Sequence, residues 1–485
     1  MKMMKMFGPP GTGKTTALLR RLERELRRGV VPERIAFMTF TVAARREAVS
    51  RVIHEFGFER SRLMHFRTIH SAAFRQMNMP RSAIITPDKI AYFAEDTNIN
   101  FSRAAVGDFD ADVPIAAMMS SDIEGDRMMA YDHLRRHRLQ SHEEGLANWD
   151  ERPVVFDHFK KSYYAWKKSE ALYDFTDILA QASNPLDIDV AFIDEAQDLS
   201  LLQWIAVHKL CVNAKRMYVA GDDDQAIFAW AGADPVSFID MPSSLSVVLA
   251  RSYRVPVRVH VIAEAIVRTI KHRQPKRWRP RHFKGTASWE TDVKYWDPPD
   301  EGSVFVLARN KKFLPSYEER LRELGLPYQR HDQESSSIHR WSSAVVGWEH
   351  QRRGQPISED AEMAIQRAVM PQSTVDQSAP WYDALTRIPE RERLYMRAVL
   401  RRLGNPGLVD EPRIILSTIH GVKGRQADHV VLDVGLSPIC KRTLYDGDSD
   451  SEARVTYVGV TRARSSFTLV GDHHPLIPVR LLGKG

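Results

Sequence analysis

The chain is predicted to be an α/β protein built on parallel sheets. Three observations carry that expectation. Short apolar runs recur from end to end, several of them are followed by stretches with helical spacing, and three end in a glycine-rich or acidic turn. At about 150 residues per domain, the 485 residues suggest roughly three domains.

In order, Lys2 to Phe7 reads as a short strand, and GPPGTGKTT follows it directly. Leu18, Leu19, Leu22 and Leu26 then recur at helical spacing, Arg and Glu fill the other face, and Gly29 ends the helix. Ile35 to Phe40 reads as a second strand, and Ala43 to about Phe56 as a basic amphipathic helix. From about Pro80 to Lys168 strand signals fade, which predicts a mainly helical insertion. DVAFIDEAQD (Asp189 to Asp198) and RMYVAGDDDQ (Arg216 to Gln225) are apolar strands ending in acids. SVFVLARN from Ser303, ILST from Ile415, HVVLDVG from His429 and FTLVG from Phe467 are further strands. Between them, residues 335–410 begin polar (SSSIHRWSS) and turn helical, which predicts a second insertion.

Composition narrows the class. Hydrophobic residues make up 43% and charged residues 27%, as in an ordinary globular protein and unlike a disordered chain or a coiled-coil rod. The net charge of +7 permits an anionic partner without demanding one. Cys211 and Cys440 lie in no CxxC pair, so neither a cysteine zinc site nor a disulfide scaffold is expected. No run approaches the ~18 apolar residues of a membrane span, and the first residues lack a signal-peptide core. The expected location is cytoplasmic.

Gly8 to Thr15 matches GxxxxGKT between a strand and a helix, the context a phosphate loop needs. Gly8, Gly11 and Gly13 let backbone N–H groups converge on phosphate oxygens, Lys14 can reach the β- and γ-phosphates, and the Thr15 hydroxyl can ligate Mg²⁺. The loop signals nucleotide triphosphate binding but also suits AAA+ machines. In FIDEAQD, Asp194 can hold Mg²⁺ and Glu195 can take a proton from the attacking water, whereas a buried acid pair without a metal would be costly. Gln225 follows another such strand, where its amide can touch both the water and the γ-phosphate; a plain turn residue is the alternative.

Together these segments resemble the UvrD/Rep family of superfamily 1 helicases. GPPGTGKTT resembles motif I, TFTVAARREA (Thr39 to Ala48) motif Ia, RTIHSAAFR (Arg67 to Arg75) motif Ib, and YDFTDIL (Tyr173 to Leu179) the family's DFDDLL segment. DEAQD resembles motif II, GDDDQAIFAWAGA (Gly221 to Ala233) motif III, SYR (Ser252 to Arg254) motif IV, STIHGVKG (Ser417 to Gly424) motif V and VTYVGVTRAR (Val455 to Arg464) motif VI. AAA+ proteins lack motifs III, V and VI of this form.

The resemblance implies two RecA-like P-loop NTPase domains, each with a mainly helical insertion, and nucleotide held in the cleft between them. The domains are expected at 1–80 with 170–250, and at 251–334 with 411–485; the insertions are expected at 81–169 and 335–410. It implies that Arg254 and Arg462 meet the γ-phosphate, where a cation stabilises the charge of the transferred group. It implies nucleotide contacts by Thr16, Tyr253, Gly424 and Gln426. It assigns Phe40, Phe228 and Trp230 to stacking on single-stranded DNA, and Thr68, His70, Thr418 and His420 to the strand's backbone. The basic stretch Arg268 to Lys284 holds eight Lys/Arg and no acid, with Trp278 and Phe283 interleaved, as a phosphate track would.

The chain also departs from the family. The adenine-reading Gln segment has no place before Gly8, Thr16 stands where a stacking Arg is common, Arg425-Gln426 replaces Leu-Glu, and Ala231 replaces a DNA-contacting Arg. Tyr253 still matches the other stacking ring, and nucleotide preference is left open. The second insertion is short for the family. The expected function is an ATP- and Mg²⁺-dependent motor on single-stranded DNA and ss/ds junctions that moves 3′ to 5′ and unwinds duplex. Two rivals stand: a translocase that strips proteins or remodels recombination intermediates, and a binding module that uses nucleotide as a switch. The few residues after Arg464 carry no nuclease-type carboxylate cluster, which disfavours a helicase–nuclease. DNA rather than RNA is implied by the family alone.

Overall fold

The computed structural model describes residues 1–39, 42–102, 121–146, 153–333, 337–370 and 376–484. The chain divides into two compact units. Met1–Tyr253 and His272–Arg279 form the first; Arg254–Lys271 and Pro280–Gly485 form the second.

The first unit is built on a six-stranded sheet of β1 (Lys2–Phe7), β2 (Ile35–Thr39), β3 (Phe66–Thr68), β4 (Val190–Ile193), β5 (Arg216–Gly221) and β6 (Leu245–Val248). The strand order is β3-β2-β4-β5-β1-β6, and every pairing is parallel. Alternation along the strands fills both faces. Ala36, Met38, Ala191 and Ile193 enter one core, and Ile35, Phe37, Val190 and Phe192 the other. Phe37, Phe192 and Tyr218 stack in a row across three strands. The helix Lys14–Arg27 lies against this second face through Leu18, Leu19 and Leu22. Its buried Glu25 accepts from Tyr218 (2.6 Å) and from Arg216 (2.9 Å), which ties the helix to β5.

The helices Pro87–Thr97, Glu124–His137, His142–Leu146 and Pro153–Ser169 follow β3 in sequence, and three of them share a core of Phe93, Met128, Phe156, Phe159 and Tyr163. Two cations, Lys167 buried and Arg136 half-buried, hold this group to the YDFTDIL segment. Lys167 donates to Asp174 (2.6 Å) and Asp177 (2.7 Å), and Arg136 pairs with the same two carboxylates.

The second unit has a seven-stranded sheet: β7 (Thr286–Glu290), β8 (Val304–Ala308), β9 (Tyr328–Arg330), β10 (Ile414–Thr418), β11 (Ala427–Asp433), β12 (Ala463–Val470) and β13 (Gly483–Lys484). Its order is β13-β7-β12-β11-β8-β10-β9, again with parallel pairings. The segment SSSIHRWSS, read as polar, is helical from Ser337 within Ser337–Arg352. Ile338, Ala344, Val345 and Trp348 are buried on one face of that helix, and that face outweighs the serines. The helices Ser337–Arg352, Glu359–Ala368 and Glu390–Leu403 share one continuous core with the sheet: Trp348, Trp381, Tyr395 and Met396 pack with Val304, Val306 and Leu416.

His272–Arg279 lies in the first unit, although the sequence reading counts it with 251–334. Lys276 and Arg273 are drawn there by three buried aspartates, described below. Among the described residues no helix is long and apolar enough to cross a membrane.

Candidate active site

Parallel pairing brings the C-terminal ends of β1, β4 and β5 to one edge of the first sheet, where α/β proteins bind ligands. Gly8, Asp194 and Asp222 are the residues that leave these strands, so topology alone gathers the phosphate loop and both acidic turns.

The loop from Gly8 to Gly13 is anchored by backbone. Gly8 N–H donates to Gly221 O (2.8 Å), and Thr12 closes the turn on Pro9 O through its N–H (3.2 Å) and hydroxyl (2.7 Å). Gly11 (φ 70°) and Gly13 (φ 78°) take left-handed conformations that turn the chain into the helix Lys14–Arg27. Gly8 is needed for a different reason. A Cβ there would overlap Lys14 Cγ and stand 2.8 Å from Lys14 Cδ. Lys14 Nζ donates to Gly8 O (3.2 Å) and lies 3.9 Å from Glu195 Oε2.

Thr15 Oγ1 donates to Asp194 Oδ2 (2.7 Å), while Asp194 Oδ1 accepts from Glu195 N–H (2.9 Å). Burial, and then the charge of Glu195, push the Asp194 carboxyl up to about 6. Glu195 has φ 53°, a backbone conformation few non-glycine residues adopt, and it sits at the turn where β4 ends. A buried oxygen pair beside a lysine suits a hard cation shared with phosphate. Thr15 and Asp194 therefore fit Mg²⁺, and the glycine-lined loop fits a triphosphate.

Gln197, which the sequence reading passed over, joins the two acidic turns. Its Nε2 donates to Glu195 Oε2 (2.6 Å), and its Oε1 accepts from Asp222 N–H (2.8 Å). Asp222 Oδ2 in turn accepts from Gln225 Nε2 (2.6 Å). Lys276, with a fully buried side chain, lies 3.1 Å from Asp222 Oδ1 and 2.9 Å from Asp224 Oδ2, and pairs with Asp223. Arg273 grips Asp224 with two hydrogen bonds (2.8 and 2.6 Å). Burial opposes the Lys276 ammonium, but Asp222, Asp224 and Asp223 outweigh it and hold the group above its ordinary value. Three adjacent aspartates at a buried strand end demand cations, and that signal was readable in DDDQ.

Tyr253 also belongs to the first unit. Its N–H donates to Gly11 O (2.8 Å) and the Ser252 hydroxyl to Pro10 O (2.6 Å), so the loop fixes its backbone while its ring is 68% exposed. Thr16 accepts from Arg51 (3.3 Å).

The residues assigned to DNA divide. Phe40 lies outside the described residues. Phe228 and Trp230 are half-buried and meet edge to face with centroids 5.7 Å apart. Their loop rests on the helix Glu124–His137: Trp230 packs by Ala130, and Arg138 donates to Ala229 O (2.9 Å). Thr68 caps the helix Ile69–Gln76. Burial pushes the neighbouring His70 down to about 4. Trp278 is buried at 7% exposure, a placement that does not suit base stacking. The cause is its neighbour Lys276, which pulls the segment into the first unit. Arg273 and Lys276 are thereby removed from any phosphate track.

In the second unit, Arg254 Nε donates to Gln426 Oε1 (2.7 Å), so the γ-phosphate cation and the nucleotide contact implied by the resemblance meet each other. Arg462 is 1% exposed and donates to Val458 O (3.0 Å) and Arg425 O (3.2 Å). Gln426 and Arg462 stand just before β11 and β12, at the N-terminal edge of the sheet. Thr418, which accepts from Gly421 N–H (3.3 Å), and His420 stand at the C-terminal end of β10. Gly424 (φ 82°) lies in the same crossover, with nothing within 4 Å of where a Cβ would stand. That connection thus carries the DNA-assigned residues at one edge and the nucleotide-assigned residues toward the other.

The sequence model of the UvrD/REP helicase N-terminal domain matches residues 2–245, just over half of the chain. The ATP-dependent DNA helicase Rep of Escherichia coli is 26% identical over 299 residues, which span 55% of this chain and 41% of that protein. The ATP-dependent DNA helicase PcrA of Leuconostoc citreum is 24% identical over 297 residues, spanning 57% and 38%. The aligned segments therefore cover about two-fifths of these relatives. A solved structure titled "The structure of PRRSV helicase" aligns with 98% of this chain and 53% of its own at 11% identity, but its TM-score of 0.34 carries no argument. By the span of the family match, and with the loop and acidic turns of the first unit gathered on one sheet edge, the chain belongs to the UvrD/REP helicase family.

Proposed function

We propose that the chain hydrolyses ATP with Mg²⁺ to drive movement along single-stranded DNA, running 3′ to 5′ and separating duplex at ss/ds junctions. The observation that carries this reading is the joined set Lys14, Thr15, Asp194, Glu195 and Gln225 at one sheet edge. Lys14 and the loop N–H groups hold the β- and γ-phosphates. Thr15 and Asp194 hold the metal, which neutralises charge on the phosphate oxygens when bound. Glu195 takes the proton of the attacking water, and Gln225 orients that water. Arg254 and Arg462 are the cations for the γ-phosphate, Tyr253 offers its exposed ring to the base, and Gly424 and Gln426 serve the nucleotide. Phe228 and Trp230 stack on bases, and Thr68, His70, Thr418 and His420 meet the strand's backbone.

A second reading has an observation in its favour. The second insertion shares its core with the parent sheet and has little bulk of its own, which favours translocation without strand separation. The test is ATP hydrolysis with and without single-stranded DNA, beside Glu195→Gln, followed by unwinding of 3′- and 5′-tailed duplexes. Stimulation by DNA that vanishes in the variant supports the motor. Unwinding of the 3′-tailed duplex alone supports the helicase with that polarity. Hydrolysis indifferent to DNA, or stimulated by RNA instead, refutes the reading.

A further inference from the structure

The segment His272–Arg279 is bounded on both sides by residues of the second unit, yet it lies wholly in the first. Its attachment is buried and charged. Lys276 meets all three of Asp222, Asp223 and Asp224, and Gln274 N–H donates to Asp223 Oδ2 (2.8 Å). Its far end is held by backbone: Arg279 N–H donates to Ala250 O (2.8 Å), and Arg279 O accepts from Ser252 N–H (2.9 Å). Ser252 and Tyr253 are the residues that brace Pro10 and Gly11 of the phosphate loop.

Two features single out Lys276 within this attachment. Asp222 divides its two oxygens between Lys276 and Gln225, and a carboxylate can only accept, so the NH₂ end of the Gln225 amide must face it. The backbone of Asp222 also continues through Gln197 to Glu195. Arg273, by contrast, acts on Asp224, which pairs with Arg273 and Lys276.

We propose that Lys276 is a positioning residue for turnover: by fixing the Asp222–Asp224 turn it sets the side-chain amide of Gln225 and, through Gln197, the carboxylate of Glu195. This rests on the reading of Gln225 and Glu195 as the groups that handle the attacking water. Lys276 touches no substrate; it acts through Asp222.

The test uses the full chain as Lys276→Met, with Arg273→Met as the control that breaks a neighbouring ion pair. Unfolding midpoint and ADP binding establish that each variant is folded. The expected result for Lys276→Met is a DNA-stimulated kcat lowered at least about tenfold with KM for ATP within about threefold of wild type, and a much smaller loss in Arg273→Met. Should Lys276→Met fail to fold, Asp223→Asn/Lys276→Met removes an anion with the cation, and its kcat is expected to stay low. A folded Lys276 variant with wild-type kcat overturns the proposal. So does an equal loss of kcat in Arg273→Met. Amide hydrogen exchange over 222–228 is read in the same samples without nucleotide. Protection lost in Lys276→Met and kept in Arg273→Met supports the positioning role, and unchanged protection overturns it. If the wild type itself hydrolyses no ATP with DNA present, the functional reading fails, and the exchange experiment still decides whether Lys276 holds this turn.

Discussion

Replacing Gly8 by alanine separates chemistry from stability at one atom. Gly8 is not among the glycines with positive φ, so its backbone accepts an L side chain. What it does not accept is the space: the new Cβ overlaps Lys14 Cγ and stands 2.8 Å from Cδ and 3.1 Å from Thr12 Oγ1. Carbon atoms settle at roughly 3.5–4.0 Å, so the Lys14 stem must retreat by about 1 Å or more. A rotamer shift of that kind costs on the order of 0.5–1.5 kcal/mol, and the fold tolerates it. Nζ is carried away from its place 3.2 Å from Gly8 O and 3.9 Å from Glu195, the place from which it would reach phosphate. A misplacement near 1 Å at a reacting centre costs about 10²-fold. Gly13→Ala is the converse. Its Cβ has room, the nearest atom being Thr16 Cβ at 3.7 Å, but φ is 78° and the left-handed conformation costs roughly 1–2 kcal/mol. DNA-stimulated ATP turnover and thermal unfolding are measured on both variants. Gly8→Ala should lose about 10²-fold in kcat/KM with a small change in stability, and Gly13→Ala should lose more stability. A Gly8→Ala protein that turns over ATP like the wild type would refute the argument, because Lys14 would then not need the path that glycine leaves open.

Four further outcomes are expected. Glu195→Gln should bind nucleotide and lose about 10²–10⁴ in kcat, read by single-turnover hydrolysis beside equilibrium binding. Arg462→Ala should lose about 10³–10⁵ in kcat while DNA affinity without nucleotide is kept; an equal loss of DNA binding would argue for a structural role. Trp230→Ala should weaken single-stranded DNA binding by about 1–3 kcal/mol with the same KM for ATP, measured by fluorescence titration. Stability should fall as pH drops below about 6.5. His133 and His137 pack with ring centroids 4.4 Å apart, and burial pushes His133 down to about 3 and His137 well below its ordinary value. The unfolded chain therefore binds more protons between those values, so the stability present above the unfolded value is lost on acidification, by at most about 1.4 kcal/mol per histidine per pH unit. Unfolding midpoints from pH 7 to 5 should show this slope, and it should flatten in His133→Gln/His137→Gln.

The strands and the phosphate loop were legible because their signals are local. KMMKMF, IAFMT and VAFI are apolar runs closed by glycine, threonine or acid, and each forms a strand at that place. The helix at Ser337–Arg352 was only half legible. Its serines mask a buried face that becomes clear only when Ile338, Val345 and Trp348 are placed on a 3.6-residue period. Trp278 was half legible for a different reason. Within a run of eight cations it reads as part of a basic phosphate track, and nothing nearby in sequence says that two of those cations pair with buried aspartates.

The partners that claim them stand fifty residues earlier, at the end of β5, and the rule that finds them is energetic rather than statistical. The logic applied to Asp194, that a buried acid needs a cation, applies with more force to Asp222, Asp223 and Asp224, each at most 1% exposed. At Asp194 burial, and then the charge of Glu195, hold the carboxyl above its ordinary value. At the triad the cations are supplied by the chain itself, from a stretch whose neighbours on both sides belong to the other unit. The two solutions differ as their roles require. On the reading proposed above, the pair at the end of β4 is left open to a metal, whereas the acid triad, neutralised by the buried Lys276 and by Arg273, holds Gln225 in one place.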